Sequence, residues 1–278
     1  MKKRRIPIGR ITAVLAVVVG AIIITRTASQ PRLRSLRPGL EFGMWRGEPY
    51  CRRGSSEIAV LRVDPARFPL RVAHYTTQPD GIPLDIMEWQ HRLNAVAVFN
   101  AGQYYPDYSY MGLFVSGGRT ISSRIHPEFQ GALVADPKSG GPRARVLDLS
   151  EHGLNPSALP WREIAQSFML FDRSGTLRVR KTPQIANRTA VAEDREGRIV
   201  ILVTEGGYTL SEFAGLLKTG PLGLTHAMSM DGGDEAELCV RVDNFAYTSF
   251  GHLGRDGRVA HPTNPTVPLP AVIAVVAP

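Results

Sequence analysis

The 278-residue sequence has only two cysteines, Cys51 and Cys239. This number excludes a zinc site built from four cysteines. In an oxidising compartment the two thiols would join the start of the folded part to a strand near its end. Such a long closed loop adds up to about 4 to 5 kcal/mol to stability in the chain-entropy model. Two separate buried thiols are the alternative, and the sequence leaves both open.

The folded part of the chain also lacks an excess of positive charge. The whole sequence has 33 basic and 25 acidic side chains and a net charge of +8. The first 30 residues hold no acid, however, and they contain six of the basic side chains, which leaves 27 basic against 25 acidic. No basic motif with interleaved aromatic residues occurs, so nucleic acid is not expected as a partner.

Sequence signals for nucleotide binding and for serine hydrolases are missing as well. The chain contains no Walker loop, no G-x-S-x-G and no G-x-G-x-x-G fingerprint. His252 and His261 lie in a proline-rich loop without the i, i+4 spacing of a helical metal site, so we interpret them as solvated loop residues. Ser-His-Asp hydrolysis therefore has no support.

No apolar run reaches the length of a comfortable transmembrane helix. Residues 2–5 are basic, residues 11–24 are apolar, and Arg26 closes the run. This pattern is typical of an export signal. We interpret the chain as a signal peptide or N-terminal membrane anchor (1–29), a basic tether (30–44) and one folded domain (45–278). Contact with a membrane is expected only through the N-terminal segment.

Alternating apolar and polar residues indicate a protein rich in strands, with a few helices. The length fits one large α+β unit. Helices are predicted at residues 83–93 and after the capping box Thr209 to Glu212. Strands are predicted at residues 56–63, 70–75, 95–99, 161–171, 187–192, 199–203, 237–242 and 270–276.

The segment Ala-Met-Ser-Met-Asp-Gly-Gly-Asp-Glu, residues 227–235, predicts a half-buried strand that ends at Asp231. A tight turn at Gly232 and Gly233 would leave the Asp231 carboxylate beside unpaired backbone N–H groups. That geometry suits anion binding and acid–base chemistry. The alternative is an ordinary Gly-Gly hairpin with an acidic rim.

Two further junctions have the same design. The strand at 95–99 delivers Asn100, Gly102 allows close approach of a ligand, and Tyr104 and Tyr105 would line a sugar site. Alternatively, Asn100 closes its own turn and the tyrosines pack. Arg188 begins another strand, and its planar fork of donors suits a phosphate or carboxylate. A surface arginine paired with an acid is the alternative.

Four motifs in this order resemble the phosphodiester glycosidase family over residues 60–242. They are Asn-Ala-Gly-Gln-Tyr at 100–104, Asn-Arg-Thr-Ala-Val at 187–191, Thr-Leu-Ser-Glu-Phe-Ala at 209–214 and Ala-Met-Ser-Met-Asp-Gly-Gly at 227–233. The family often continues Asp-Gly-Gly with Gly-Ser, where this chain has Asp234 and Glu235, and its asparagine motif usually reads Asn-Gly-Gly-Tyr-Phe. The resemblance implies an α+β fold with curved, mainly antiparallel sheets and a few packed helices in a single domain. It also implies one pocket lined by Asn100, Gly102, Arg188, Thr189, Asp231, Gly232 and Gly233.

The function expected from these residues is hydrolysis of a glycosyl phosphodiester. A phosphate is a good leaving group, so the site needs a carboxylate near the anomeric carbon and a cation at the phosphate. We assign Asp231 and Arg188 to these roles, with Glu205 as second carboxylate. Substrate binding is assigned to Asn100, Gly102, Tyr104, Thr189, Gly232, Gly233, Asp234 and Glu235.

A different class of function is the alternative to hydrolysis. The same pocket would then bind a glycan without cleaving it, or hold a metal ion through Asp231, Asp234 and Glu235. Clustered carboxylates suit calcium, but the spacing of a calcium loop is missing, so we expect no metal or other cofactor.

Export of the chain is the first testable prediction. A reporter fused after residue 40 should be active only outside the cytoplasm, because the basic head and apolar run should direct secretion. Accumulation of the full-length chain as a soluble cytoplasmic protein would contradict this interpretation.

Overall fold

The apolar and alternating runs of the sequence fold into strands. This computed structural model describes residues 30–253 and 266–278, and residues 31–278 form one domain. The strands, in chain order, are β1 (Arg34–Arg37), β2 (Leu40–Arg46), β3 (Glu57–Val63), β4 (Leu70–His74), β5 (Ala95–Asn100), β6 (Phe114–Ser116), β7 (Arg119–Ser122), β8 (Gly131–Pro137), β9 (Ala144–Asp148), β10 (Trp161–Ser167), β11 (Met169–Phe171), β12 (Ile185–Ala186), β13 (Thr189–Asp194), β14 (Ile199–Thr204), β15 (Tyr208–Thr209), β16 (Leu224–Ser229), β17 (Leu238–Val242), β18 (Phe245–Ser249) and β19 (Ala271–Val276).

The strands form three larger sheets and one short ribbon. The seven-stranded sheet has the order β1-β2-β3-β14-β13-β16-β11, and the two five-stranded sheets have the orders β7-β6-β10-β8-β9 and β18-β17-β5-β19-β4. Strands β12 and β15 pair as the ribbon. All pairings within the described strands are antiparallel. The expectation of mainly antiparallel sheets in a single domain is therefore confirmed.

Helices contribute less than the α+β prediction implies. The described residues contain only two α-helices, α1 (Ile86–Arg92) and α2 (Leu210–Thr219). Helix α1 begins later than predicted because Asp85 caps it, accepting bonds from the Met87 and Glu88 amides. Helix α2 begins at the predicted cap, where the Thr209 hydroxyl accepts a bond from the Glu212 amide. Two single 3₁₀ turns, at Tyr75–Thr77 and Gly233–Glu235, complete the helical structure.

One large apolar cluster lies between the sheets and joins them. Leu61 and Ile201 enter it from the seven-stranded sheet, Leu133 enters from the second sheet, and Phe99 and Ile273 enter from the third. All five side chains are at most 1% exposed. Since burial of each such side chain contributes about 1.5 to 3 kcal/mol, this shared core fixes the sheets relative to one another.

The two helices cover the outer faces of two sheets. Phe213 of α2 packs in a second cluster with Val60 and Leu202 of the seven-stranded sheet. Trp89 of α1 is fully buried against the third sheet, and its indole N–H donates to the Leu269 carbonyl at 2.9 Å. The helices therefore shield the outer faces of these two sheets and do not cover the strand ends, where the loops lie.

The predicted tether at 30–44 is wrong from residue 34 onward. Strands β1 and β2 extend the seven-stranded sheet, and Leu40 and Phe42 point into the core. Arg37 forms an ion pair with Asp243. The arginines at this edge made the segment look like a linker, although the alternation from Leu40 onward is that of an amphipathic strand. The predicted export segment, 1–29, and His261 lie outside the described residues, and no helix within 30–253 and 266–278 is long and apolar enough to cross a membrane.

Of the two alternatives for the cysteines, the disulfide is wrong, because both are free thiols. Cys51 is half-buried and contacts the carbonyl oxygens of Arg53 and Ser55 at 3.3 and 3.2 Å. Cys239 is fully buried in β17 and belongs to a different apolar cluster. The alternative of two separate thiols describes the protein.

Glu237 is a buried carboxyl group at the start of β17. Its Oε1 accepts a bond from the Val267 amide at 3.4 Å, and its Oε2 has no hydrogen-bond partner in the described part of the chain. Burial raises the pKa of Glu237 to about 8, and the nearby Asp85 and Glu235 carboxylates add to the shift. The folded protein therefore holds a proton that the unfolded chain releases at neutral pH.

This carboxyl group should make stability depend on pH. Between about pH 4.3 and pH 8 the folded state binds one proton more than the unfolded state at Glu237, so the free energy of unfolding should fall as pH rises, by a few kcal/mol in total. Glu237→Gln should remove this slope, while Glu151→Gln at an exposed turn should retain it. Urea unfolding at several pH values measures the slopes, and equal slopes for wild type and Glu237→Gln would contradict the assignment.

Candidate functional site

Three segments that are distant in sequence meet at one place. Strand β5 ends at Asn100, β13 begins at Thr189, and the chain leaving β16 runs between them. The Met230 amide donates to the Thr189 carbonyl at 2.9 Å, and the Asp231 amide donates to the Ala101 carbonyl at 3.0 Å. Asp231 is thus held by backbone hydrogen bonds from both sides.

The Asn100 side chain joins these segments. Its amide nitrogen donates to the carbonyl oxygens of Ala101 and Asp231 at 3.1 and 3.0 Å. Its Oδ1 accepts bonds from the Thr189 hydroxyl at 2.8 Å and the Glu237 amide at 3.2 Å. Asn100 is 1% exposed and Thr189 is fully buried. Both were expected to line the pocket, but they lie beneath it, because their polar groups are used to hold the backbone.

The glycines of the site are needed for space and backbone conformation. A Cβ on Gly232 would lie 2.7 Å from the Asn187 carbonyl, while its φ of −129° is open to any residue. Gly233 has φ of +82°, which favours glycine. Their amides were expected to bind a ligand, but the Gly232 amide donates to Asp231 Oδ1 and the Gly233 amide to the Asn187 carbonyl, both at 2.9 Å. Gly102 is used in the same way, since its amide donates to the Tyr110 hydroxyl at 3.0 Å.

Asp231 and Arg188 lie in one cleft with a volume of about 680 Å³. Both are buried, with relative exposures of 4% and 9%, so they form its floor. Gly232 and Gln103 line the cleft beside them, and charged residues of surrounding loops form the rim. The cleft therefore contains the two residues to which the sequence argument assigned catalysis and phosphate binding.

The Arg188 guanidinium is held in a fixed orientation. Its Nε donates to the Tyr208 carbonyl at 3.0 Å and its Nη2 donates to the Gln184 carbonyl at 2.8 Å. A methyl group on Gly232 would lie 3.6 Å from its Nη1, so the head of Arg188 reaches the turn that follows Asp231. A planar cation of this kind can bind two oxygens of a phosphate with little loss of side-chain freedom.

Tyr104 and Glu235 form a hydrogen-bonded pair next to this floor. The Tyr104 hydroxyl donates to Glu235 Oε1 at 2.9 Å. Burial is the main cause that raises the pKa of Tyr104 above its usual range, and the charges of Glu235 and Asp231 raise it further. Tyr104 thus remains a neutral hydroxyl within electrostatic range of both carboxylates. Asp234 belongs to the same 3₁₀ turn as Glu235.

Glu205 does not belong to the cleft. It lines a separate pocket with Glu57 and Tyr247, and it accepts a hydrogen bond from the Tyr247 hydroxyl. The reason is the alternation of side chains along a strand: the Thr204 hydroxyl accepts the Arg188 amide, so the next side chain faces away. Its assignment as second carboxylate of the Asp231 site is therefore wrong.

Several residues of the cleft were not predicted from the sequence. Gln103 connects two walls, because its Nε2 donates to the Met230 carbonyl at 3.1 Å and its Oε1 accepts the Ser167 hydroxyl at 2.8 Å. At the rim, Arg180 and Glu128 approach to 3.8 Å. Gln103 lies inside the quoted asparagine motif, but nothing in the local pattern of residues 126–130 or 178–184 marks them as part of a site. Within the described ranges, no group of three or more His, Cys, Asp or Glu side chains could hold a metal ion.

This arrangement can bind an anionic group and present a carboxylate to it. The cleft places a fixed guanidinium and a buried carboxylate on one floor, where water is partly excluded. Electrostatic interactions are stronger in such a site than in bulk water. A substrate with a phosphate next to an electrophilic carbon fits these two groups.

Comparisons with known proteins give a family match and a shared fold. The sequence model of the phosphodiester glycosidase family matches residues 93–276. No curated protein matches the chain. The catalytic domain of zebrafish N-acetylglucosamine-1-phosphodiester alpha-N-acetylglucosaminidase, auto-inhibited by its pro-peptide, superposes with a TM-score of 0.58 at 15% identity, covering 90% of this chain and 88% of that one. A hypothetical protein from Synechocystis superposes with a TM-score of 0.59 at 13% identity, and the match covers 90% of this chain and 64% of that one.

The Asn100 side chain should be essential for stability. Asn100→Ala leaves buried donors and acceptors of three segments without partners, so we expect a loss of roughly 2 to 5 kcal/mol in the free energy of unfolding. Asn155→Ala, at an exposed turn where the side chain caps only the Ser157 amide, should cost less than about 1 kcal/mol. Chemical denaturation measures both, and similar losses would show that Asn100 is an ordinary turn residue.

Proposed function

Since this chain belongs to the phosphodiester glycosidase family, we propose that it is a hydrolase of glycosyl phosphodiesters that uses Asp231 and Arg188. The observation that carries this proposal is the shared floor of the cleft, where the buried Asp231 carboxylate and the oriented Arg188 guanidinium lie together. The known activity of the zebrafish protein, as its name gives it, is of the same class.

Arg188 would bind the phosphate of the substrate. Two backbone carbonyls fix the plane of its guanidinium, so its position is set before the ligand arrives. As the bond between the anomeric carbon and the phosphate oxygen breaks, negative charge grows on the leaving phosphate. A cation that already lies there stabilises the transition state more than the ground state.

Asp231 would act at the anomeric carbon. The Gly232 amide holds Oδ1 at 2.9 Å, which orients the carboxylate toward one position in the cleft. Positive charge develops on the sugar ring in the transition state, and a carboxylate beside it stabilises that charge directly or as a nucleophile. The phosphate leaves without a strong general acid, so one carboxylate and one cation suffice to break the bond between the anomeric carbon and the phosphate oxygen. Water then forms the new bond to the anomeric carbon and gives its proton to the released phosphate, which yields the free sugar.

The substrate would be positioned by Tyr104 and Glu235, and the floor would be held in place by Gln103. The neutral Tyr104 hydroxyl is bonded to Glu235, and this pair can exchange hydrogen bonds with sugar hydroxyl groups. Gln103 holds the Met230 carbonyl next to Asp231. Asn100, Thr189 and the glycines support the floor from beneath. Glu205 has no role in this proposal because it lies in another pocket.

The substrate and location remain those expected from the sequence. We infer a sugar 1-phosphate bridge in an envelope or extracellular polysaccharide, because the N-terminal segment predicts export. A protein that binds such a glycan without cleaving it is the alternative. Incubation of the purified domain with a panel of sugar 1-phosphodiesters separates the two, since only the hydrolase releases free sugar.

Replacement of the Asp231 carboxylate should abolish hydrolysis and leave the fold intact. Asp231→Asn keeps an oxygen that accepts the Gly232 amide but removes the charge, so kcat/KM should fall on the order of a thousandfold with a Tm change of only a few degrees. Glu205→Gln is the matched control, because it neutralises the other strand-end carboxylate, and it should retain turnover. Near-full turnover by Asp231→Asn together with lost thermal stability would make Asp231 a turn residue and refute the mechanism.

The same assay can test Arg188 on two substrates. Arg188→Lys keeps the charge but loses the planar fork, so it should reduce kcat/KM on a phosphodiester by about 10- to 100-fold and affect a neutral aryl glycoside of the same sugar much less. Equal losses on both substrates would show that Arg188 supports the fold of the cleft and does not bind phosphate.

A further inference from the structure

A second pocket lies beside the Asp231 cleft, and the same two chain segments form walls of both. The segment 103–111 contributes Gln103 and Met111 to the cleft and Tyr105 and Tyr110 to the second pocket. The segment 122–130 contributes residues 126–130 to the cleft and residues 122–124 to the second pocket. The second pocket has a volume of about 490 Å³, which is enough for a sugar ring.

Tyrosine rings connect the two places. Tyr104, which is bonded to Glu235 beside the catalytic floor, has its ring centroid 5.8 Å from that of Tyr108. The Tyr108 ring in turn lies 6.2 Å from that of Tyr75, a lining residue of the second pocket. Together with Tyr105, these rings form an aromatic surface that starts at the catalytic floor and continues into the second pocket. Tyr110 is 3% exposed and belongs to the core, not to this surface.

The hairpin that carries Tyr108 is ordered by its own hydrogen bonds. The Tyr105 amide donates to the Ser109 carbonyl and the Tyr108 amide donates to the Tyr105 carbonyl, both at 2.8 Å. The Ser109 hydroxyl donates to Asp107 at 2.6 Å. Tyr108 has φ of +65°, an uncommon conformation for a residue other than glycine, and its side chain is 37% exposed. The hairpin therefore holds an aromatic ring toward solvent in a fixed position.

The polar groups of the second pocket suit hydroxyl groups better than a phosphate. Arg124 donates to the Tyr105 hydroxyl at 3.0 Å, and it is the one arginine among the pocket's lining residues. His74 is 3% exposed. Burial lowers the pKa of His74, and a hydrogen bond to the Tyr108 backbone opposes this shift only in part, so the ring is neutral.

His74 connects this pocket to the Tyr108 hairpin. Its Nδ1 lies 2.8 Å from the Thr76 hydroxyl oxygen, and its ring forms a hydrogen bond with the Tyr108 backbone. The donor that the pocket offers to a sugar hydroxyl is the Arg124 guanidinium. The pocket thus combines tyrosine ring faces, which bind the C–H face of a pyranose, with a donor for a sugar hydroxyl.

We propose that this pocket binds a neutral sugar residue of the same glycan whose phosphodiester bond lies at Asp231. The substrate is then an oligosaccharide or polysaccharide that runs along the tyrosines from one pocket into the other. This inference rests on the proposed hydrolase function for the reaction, but the binding of a neutral glycan can be measured without turnover.

The first experiment measures binding to the inactive Asp231→Asn protein. Neutral tetrasaccharides of β-1,4-linked glucose, α-1,4-linked glucose and β-1,4-linked N-acetylglucosamine serve as probes in calorimetric titrations, and inorganic phosphate is the anionic probe. We expect at least one tetrasaccharide to bind. A second change, Tyr108→Ala or Arg124→Ala, should weaken its binding about tenfold. Tyr50→Ala is the control and should not weaken binding, because Tyr50 lies outside the pocket while its exposure of 36% is close to the 37% of Tyr108.

The second experiment measures turnover in the otherwise unchanged protein. Two substrates are compared, a single-sugar phosphodiester and the same compound extended by three sugar residues. We take the kcat/KM of the extended substrate divided by that of the single-sugar substrate. This ratio should fall about tenfold in Tyr108→Ala and Arg124→Ala and stay constant in Tyr50→Ala. The subsite is overturned if Tyr108→Ala and Tyr50→Ala have the same effect on this ratio. It is also overturned if no tetrasaccharide binds and the pocket instead binds phosphate in a way that Arg124→Ala abolishes. Absence of turnover by wild type with intact tetrasaccharide binding refutes the hydrolase function and leaves the glycan pocket standing.

Discussion

The amide side chain of Asn100 is the interaction on which the site depends. Its four hydrogen bonds reach Ala101, Thr189, Asp231 and Glu237, and therefore connect the ends of strands from two different sheets. The amide is suited to this position because it offers two donors and two acceptor sites in one plane. A carboxylate or a hydroxyl has too few donors. The candidate site is thus built around a side chain that is 1% exposed and lies beneath the cleft.

Rigid support from below gives the two charged groups a fixed geometry. Asp231 and Arg188 are each held by backbone groups, the first through the Gly232 amide and the second through two carbonyls. A charge that is oriented by the protein before binding does not have to reorganise when charge develops on the substrate. The close approach of Gly232 to the Asn187 carbonyl makes this possible, because a side chain there would push the Asp231 segment away from its strand.

The sequence predicted the parts of the fold that follow from periodicity, and the parts of the site that lie at strand ends. The meeting of Asn100, Arg188 and Asp231 could be anticipated because each borders a strongly apolar strand. The side on which a side chain emerges was harder to anticipate, and Glu205 faces another pocket because the neighbouring Thr204 faces Arg188. Strand β2 was hidden by its arginine-rich edge. The rim residues had no signal, because irregular loops carry no period and tertiary contacts alone bring them to the cleft.

The neutral state of Tyr104 explains how one hairpin can serve two kinds of recognition. Burial and two nearby carboxylates raise the pKa of Tyr104, so its hydroxyl remains a hydrogen-bond donor and adds no charge to the floor. On one side of the hairpin, charge is concentrated in Asp231 and Arg188, where the proposed bond cleavage requires it. On the other side, the proposed sugar pocket combines uncharged tyrosine rings and the neutral His74 with a single cation, Arg124. Affinity for the glycan can therefore change through the tyrosines while the electrostatics of the reacting bond stay constant.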